Sequence, residues 1–287
     1  MECINGNNSP KLVFLDIDGT IWDFKERIPK SAAEAIRRLK SNGHIPLLCT
    51  GRARGNVRYK ELWSLGFDGI VAACGCHVEY KENIIYESLL PADTIRRVWD
   101  ASLKYDVPLI FEGKDKHWLS LEGFEHDDFI KNLVKHMGED AVILKDNLPD
   151  IRANKFSGDV LLRSDIKSFK AAIPEDICFI NHDLSTDQGI HQASFEDSNR
   201  VIGIFEAVIA GSSKAEGMLR MCEYLKTDIK DSYAVGDSNN DLEMIEAAGV
   251  GIAMGNSSDK LKKKADYVTD DLCKDGLYKA FEHFGLI

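Results

Sequence analysis

No apolar run in the chain approaches the ~20 residues that a membrane span requires, basic charge is not in excess, and no internal repeat or low-complexity tract interrupts the sequence. The first absence excludes a helical membrane protein. The second argues against a nucleic-acid surface: 36 lysines and arginines face 47 aspartates and glutamates, a formal net charge of −11, whereas phosphate backbones are bound by an excess of cations. The one dense basic run, Lys260-Leu261-Lys262-Lys263-Lys264, reads as the solvated face of a short helix. The polar start, Met1-Glu2-Cys3-Ile4-Asn5-Gly6-Asn7-Asn8-Ser9, has neither the charged nor the apolar region of a signal peptide, which points to a cytoplasmic protein. A disulfide framework is missing too. The seven cysteines (Cys3, Cys49, Cys74, Cys76, Cys178, Cys222, Cys273) are odd in number and scattered, several inside apolar segments, as reduced thiols are. Cys74 and Cys76 form the one close pair, and without a second pair or neighbouring histidines they read as a tight turn, not a zinc site.

What is present is a globular composition, 44% hydrophobic and 29% charged over 287 residues, enough for one large or two ordinary domains. Short apolar runs at 12–17 and 45–50 flank a segment, Ala32 to Lys40, whose apolar positions recur at helical spacing. Ser31 with Glu34 three residues on suits the start of that helix, and Asn42-Gly43 its end. A second helix is expected from about Gly55 to Leu65, then a strand at 69–73. The last third repeats the alternation: a helix from Ala215 to Tyr224, a strand at 232–235, a helix from Leu242 to Ala248 and a strand at 250–253. Both ends therefore read as α/β units around a largely parallel sheet. The middle differs, with a hairpin at 78–86, isolated strands such as 159–163 and mixed helices, and reads as an inserted α+β domain.

The stretch Lys11 to Thr20, KLVFLDIDGT, ends a buried-strand pattern in two aspartates, a liability that stability alone does not explain. In a strand, residues i and i+2 share a face, so Asp16 and Asp18 can point together beyond the carboxyl end, where ligands of open α/β sheets bind. Taken alone, Asp18-Gly19 could equally be a turn. Thr50-Gly51-Arg52 ends the next strand and offers a hydroxyl and a glycine amide to an anion. Gly236-Asp237-Ser238-Asn239-Asn240-Asp241 gathers carboxylates and amides after a third strand. An EF-hand reading fails there because Leu242 stands at the glycine position and a strand, not a helix, precedes. Lys214, in Gly211-Ser212-Ser213-Lys214, lies at a helix start outside any P-loop pattern. If these loops converge, several carboxylates repel one another unless a cation is bound, and hard oxygen ligands suit Mg²⁺.

In this order Asp16 to Thr20, Thr50-Gly51-Arg52, Lys214, and Gly236-Asp237 through Asp241 resemble the four motifs of the haloacid dehalogenase (HAD) superfamily, mostly phosphatases. Within it the chain is similar to the Cof-like (type IIB) branch, through Gly211 to Lys214, Gly236 to Met244, Met254-Gly255-Asn256, Ala265 to Thr269 and Asp275-Gly276. The resemblance implies a Rossmann-like, HAD-like core with a parallel sheet, residues 1–87 and 200–287, and an inserted α+β cap, residues 88–199. It implies a phosphatase of small phosphorylated metabolites, sugar phosphates foremost, and the charge and hydropathy above point to no nucleic-acid or membrane partner. Asp16 is then the nucleophile that forms an aspartyl phosphate, and Asp18 the acid and base. Mg²⁺ is held by Asp16, the Asp18 carbonyl and Asp237, with Asp241 steadying the metal's waters or Lys214. Thr50, Gly51 and Asn240 hold the phosphoryl group, and Lys214 offsets charge. A sugar phosphomutase and a non-catalytic regulator are the alternatives. The chain departs from the branch at Cys74-Gly75-Cys76, where Asn-Gly-Ala is common, and at Trp22, which reads as packing under the cap or as an apolar wall for the leaving group. Cap residues His117, Trp118, Arg163 and His182 are candidates for substrate choice, each also at home in a structural role.

Overall fold

The computed structural model describes residues 10–23, 25, 27–121, 128–145, 148–182 and 201–287, the side chains of 128, 129, 181 and 182 excepted. The chain opens with β1 (Leu12–Leu15), α1 (Lys30–Ser41), β2 (Ile45–Cys49), α2 (Lys60–Trp63), β3 (Gly69–Ala72) and the hairpin β4 (His77–Tyr80) and β5 (Asn83–Glu87). It continues through α3 (Ala92–Tyr105), β6 (Leu109–Glu112), β7 (His117–Leu119), α4 (Asp128–Met137), β8 (Ala141–Ile143), β9 (Lys155–Leu161), α5 (Ile166–Ala172), β10 (Ile177–His182) and β11 (Val201–Ile209). It closes with α6 (Lys214–Leu225), β12 (Tyr233–Gly236), α7 (Leu242–Ala247), β13 (Val250–Ala253), α8 (Asp259–Lys262), β14 (Tyr267–Val268) and α9 (Gly276–His283). No helix among the described residues is long and apolar enough to cross a membrane.

Two sheets result. The eight-stranded one runs β14-β13-β12-β1-β2-β3-β4-β5, with parallel pairing from β14 to β3 and antiparallel pairing in the β4 and β5 edge. This is a Rossmann-like α/β architecture. Strand β1 shows why its sequence is continuously apolar: Val13 and Leu15 enter one core with Ile36, Leu39 and Phe281 of α1 and α9. Leu12 and Phe14 enter the opposite core with Met218, Met221 and Met244 of α6 and α7. A strand covered on both faces has no polar side to alternate with.

The second sheet, six-stranded, runs β10-β11-β9-β6-β7-β8. It is antiparallel except between β7 and β8. Phe111, Trp118, Phe156, Phe205 and Ala207 form its helix-covered core with residues of α3 and α5. The boundary expected at 199/200 lies outside the described residues, but β11, which follows it, pairs with β9 and β10 in the second sheet. That sheet therefore extends to Ile209. A lone apolar strand looks alike in either sheet, and only its pairing partners assign it.

Two local expectations also change. Helix α1 starts at Lys30 behind Pro29, with no side-chain cap, so Ser31 lies inside the first turn. Proline suits this entrance because its fixed φ is already compatible with the helix. The helix expected over 55–65 is instead a 3₁₀ turn, Arg54–Asn56, and the single turn α2. Between them the Val57 carbonyl accepts from Arg54 Nη1 at 3.2 Å and Trp63 Nε1 at 2.9 Å, so side chains stabilise an irregular path.

Candidate active site

The Asp16 amide donates to the Val235 carbonyl at 3.0 Å, one residue beyond β1, and this tethers Asp16 to the end of β12. Lys214 is the first residue of α6, capped by Ser213, whose side chain accepts from the Glu216 amide. Its buried ammonium donates to Asp16 Oδ1 at 2.6 Å, Asp241 Oδ1 at 2.5 Å and Asn240 Oδ1 at 3.4 Å. The other Asp241 oxygen accepts the amides of Asp237 and Ser238, both at 2.9 Å, so this carboxylate anchors its own loop as well as the lysine. Asp237 stands near Thr20 Oγ1 (3.4 Å) and Asn256 Nδ2 (3.5 Å). Gly19 turns the chain beside it with φ +79°, and a Cβ there would lie 2.1 Å from Asp237 Oδ2. No other residue type suits that approach.

Oxygens of Asp16, Asp237 and Asp241 come within 4.8 Å of one another, a group that could hold a metal ion. Burial, then the charge of Asp241, pushes Asp16 up to about 7 against the pull of Lys214. Asp237 is raised well above the ordinary range by burial and by Asp16 and Asp241. Lys214 is disfavoured by burial, but Asp16 and Asp241 outweigh it and raise its pKa. Three carboxylates against one ammonium leave an uncompensated charge of two, which is the deficit a divalent cation fills, and the donors are hard oxygens.

Asp18 is placed by the turn after β1, not by strand parity, since β1 ends at Leu15. Arg52 grips its carboxylate with Nε and Nη2, both at 2.7 Å, and Trp22 Nε1 donates to the same Oδ1 at 2.9 Å. Burial works to raise its pKa, but the Arg52 charge and these hydrogen bonds prevail and hold it low. Trp22 is both buried packing, 1% exposed, and a donor to Asp18. Neither the Arg52 clamp nor the indole hydrogen bond is readable from the sequence, although both residues lie within the segments it singles out.

Thr50 is buried and its hydroxyl accepts the Arg52 amide at 3.1 Å. The loop after β3 is pinned beside it, with Ala73 N donating to Arg52 O at 2.8 Å and Cys74 N to Thr50 O at 3.2 Å. Ala73 and Cys74 both take φ near +50°, the left-handed region that asparagine and glycine reach more cheaply. Burial pushes the Cys74 thiol up to about 12, which keeps it protonated and unreactive. Gly75, φ +87°, lets this loop abut the start of α6, since a Cβ would meet Ser213 O at 2.0 Å. Asn240 Nδ2 stands 3.6 Å from where a Gly51 Cβ would project. The structure thus brings Asp16, Asp18, Thr50, Gly51, Lys214, Asp237, Asn240 and Asp241 into one neighbourhood.

The candidates on the second sheet divide. His117 is fully buried, 3.7 Å from Glu112 Oε2, on the face toward these loops. Trp118 belongs to the helix-covered core. Arg163 lies 3.6 Å from Asp106, lining a cavity with Trp99 and Ser102 on the far side. The side chain of His182 lies outside the described residues. Two residues absent from the sequence reading, Lys155 and Glu206, reach the phosphate-loop candidate Gly51 from this sheet.

Comparison with known proteins gives consistent results. The haloacid dehalogenase-like hydrolase family matches residues 13–281. YkrA of Bacillus subtilis (strain 168) is 31% identical over 283 residues, 96% of this chain and 98% of its own. A 5-amino-6-(5-phospho-D-ribitylamino)uracil phosphatase of the same organism, YcsE, is 26% identical over 286 residues and 96% of each chain. Among solved structures, a protein of Geobacillus kaustophilus HTA426 has 28% sequence identity and a TM-score of 0.78, over 97% of this chain and 100% of its own.

Proposed function

The chain belongs to the haloacid dehalogenase-like hydrolase family and is a phosphatase, and from that premise we propose that it hydrolyses small sugar or polyol phosphates with Mg²⁺ through an aspartyl phosphate on Asp16. The observation that carries the reading is Lys214 joining Asp16 to Asp241, with Asp237 alongside, at the carboxyl ends of adjacent strands.

Asp16 attacks phosphorus, and the bond to the leaving oxygen breaks as that oxygen takes a proton from Asp18. Asp18 then takes a proton from water, whose oxygen attacks the acyl phosphate, releasing phosphate and restoring Asp16. Asp16, the Asp18 carbonyl and Asp237 would hold Mg²⁺, which when bound would supply charge neutralisation for the phosphoryl group. Thr50, the Gly51 amide and Asn240 hold those oxygens, and Lys214 keeps Asp16 oriented and tolerably ionised. Asp18 can work as an acid only when the Arg52 grip that keeps it ionised is loosened. A phosphate dianion arriving beside Thr50 and Gly51 is a competing anion for that guanidinium. Residues 88–209 act as the cap that closes over the reaction and limits water.

The relative named for a phosphorylated ribitylamino substrate supports the polyol class. Replacing Asp16 by Asn should lower phosphate release from p-nitrophenyl phosphate and from ribitol 5-phosphate by about a thousandfold or more, with the circular dichroism spectrum unchanged. EDTA should abolish wild-type release and Mg²⁺ restore it. Activity retained in the Asp16→Asn variant would overturn the covalent route, and activity indifferent to EDTA would overturn the metal.

A further inference from the structure

Cross-strand register gives the second sheet two unlike faces. Phe111, Phe156 and Ala207 pair across β6, β9 and β11 and enter the helix-covered core. One residue along on each strand, Glu112, Lys155, Ser157 and Glu206 alternate onto the other face, with His117 paired to Glu112. That face meets the loop after β2. Lys155, 2% exposed, donates to the Gly51 carbonyl at 3.0 Å and to Glu206, and lies 3.7 Å from Glu112. Glu112 also accepts from Ser157 Oγ at 2.5 Å and from Asn56 Nδ2 at 2.8 Å. A Gly51 Cβ would lie 3.3 Å from Glu206 Oε2 and 3.6 Å from Asn240 Nδ2, so the carboxylate borders the place of the phosphoryl group. His117 is fully buried, with Nε2 3.7 Å from Glu112 Oε2.

Stability does not ask for this arrangement. An apolar contact would join the two sheets at lower desolvation cost than an ammonium and two carboxylates. A buried imidazole whose Nε2 faces Glu112 beyond hydrogen-bond distance is a further cost, the kind that a ligand's hydroxyl relieves. With Lys155 counted, the wall carries a net negative charge beside a site that must accept a phosphate.

We propose that Glu206, Glu112, Lys155 and His117 form the leaving-group subsite, and that it selects a neutral polyhydroxylated leaving group against one carrying a carboxylate or second phosphate. Hydroxyls of a sugar or polyol donate to the two glutamates and accept from Lys155 or the imidazole. An additional anion on the leaving group meets the glutamates at short range in a partly desolvated site, where a unit charge shifts binding by well over tenfold. This inference rests on the phosphatase reading above.

The test compares kcat/KM for ribitol 5-phosphate and phosphoglycolate, each normalised to p-nitrophenyl phosphate, in the wild type, Glu206→Gln and Glu112→Gln. The wild type should favour ribitol 5-phosphate by at least about tenfold, and each variant should lower that preference by about tenfold. Two variants are used so that one which fails to fold does not end the test. A preference unchanged within about twofold while the aryl phosphate is still turned over would make the cluster a structural contact between sheets and overturn the subsite. A wild type that prefers phosphoglycolate would do the same. A wild type that releases phosphate from none of the three would remove the phosphatase reading, and the subsite with it.

Discussion

Among the described residues two lysines are buried, and each joins a pair of carboxylates next to the same reaction centre. Lys214 connects Asp16 and Asp241, and Lys155 connects Glu206 and Glu112. Electrostatically they are twins: in both, burial opposes the ammonium and two acids outweigh it, raising the pKa. They differ in what places them. Lys214 sits at a capped helix start facing the ends of parallel strands, where topology gathers loops from distant parts of the chain. Lys155 sits on a sheet face, where cross-strand register supplies its carboxylate neighbours. On the two proposals above, one set of charges serves the bond being broken, the other the group that leaves.

The largest effect should separate the twins. Lys214→Met and Lys155→Met each strand buried carboxylates, so both should lose about 3–5 kcal/mol of stability in chemical denaturation. Their kinetics should diverge. Turnover of p-nitrophenyl phosphate should fall about a hundredfold or more in Lys214→Met and less than about tenfold in Lys155→Met, since that substrate has no hydroxyls to read. Equal losses would break the distinction between the two regions.

That distinction also explains what is legible in the sequence. A strand buried on both faces must be apolar throughout, so β1 and β2 stand out, and the chemistry follows within a few residues of each strand end. Asp16, Thr50, Gly51, Lys214, Asp237 and Asp241 are readable because each lies in such a short contiguous segment. Lys155 and Glu206 are not, because nothing within a few residues of Lys155 refers to Glu206, some fifty positions away, and their meeting depends on the β9 and β11 register. The same dependence hides the limit of the second sheet at β11. Trp22 stands out as an aromatic body, but its N–H bond to Asp18 requires the turn at Gly19, whose amide donates to the Trp22 carbonyl at 2.9 Å.

Metal removal sharpens the contrast next. Asp16, ordinarily 3.8, stands at about 7 in the folded chain without a cation, and Asp237 is raised too. Between those values the folded state binds more protons than the unfolded one, so stability falls as pH rises from about 4 to 7, on the order of a few kcal/mol. Asp18, held low, acts in the opposite sense, but only below about pH 4. The melting temperature in EDTA should therefore drop across that range, and the gain on adding Mg²⁺ should grow with pH. A Mg²⁺ gain that is flat with pH would show that the strand-end carboxylates are not its ligands.

A smaller perturbation probes how the two regions are joined to Lys214. Gly75→Ala places a Cβ 2.0 Å from the Ser213 carbonyl at a positive φ, which should cost about 1–3 kcal/mol. Because Ser213 caps α6 immediately before Lys214, turnover should fall along with the melting temperature. A destabilised protein with unchanged kcat would mean that the helix start does not position the lysine.

The smallest effect concerns Trp22, which belongs to the strand-end region but reads in the sequence as packing. Trp22→Phe keeps an aromatic ring in the core beside Tyr59, now at a centroid distance of 4.9 Å, but removes the N–H bond to Asp18, trims a fully buried side chain and reduces the face on which the Arg52 guanidinium lies, 5.1 Å from the ring centroid. Asp18 is partly exposed and still held by Arg52, so the lost hydrogen bond costs little, and the trimmed packing brings the stability loss to about 1–2 kcal/mol. If the indole helps to orient the acid, the loss in kcat should follow the need for a proton. It should be about three- to tenfold with ribitol 5-phosphate, whose alkoxide leaves poorly, and close to nil with p-nitrophenyl phosphate, whose phenolate leaves unaided. Equal losses on both substrates would assign Trp22 to packing alone and leave Arg52 as the residue that governs Asp18.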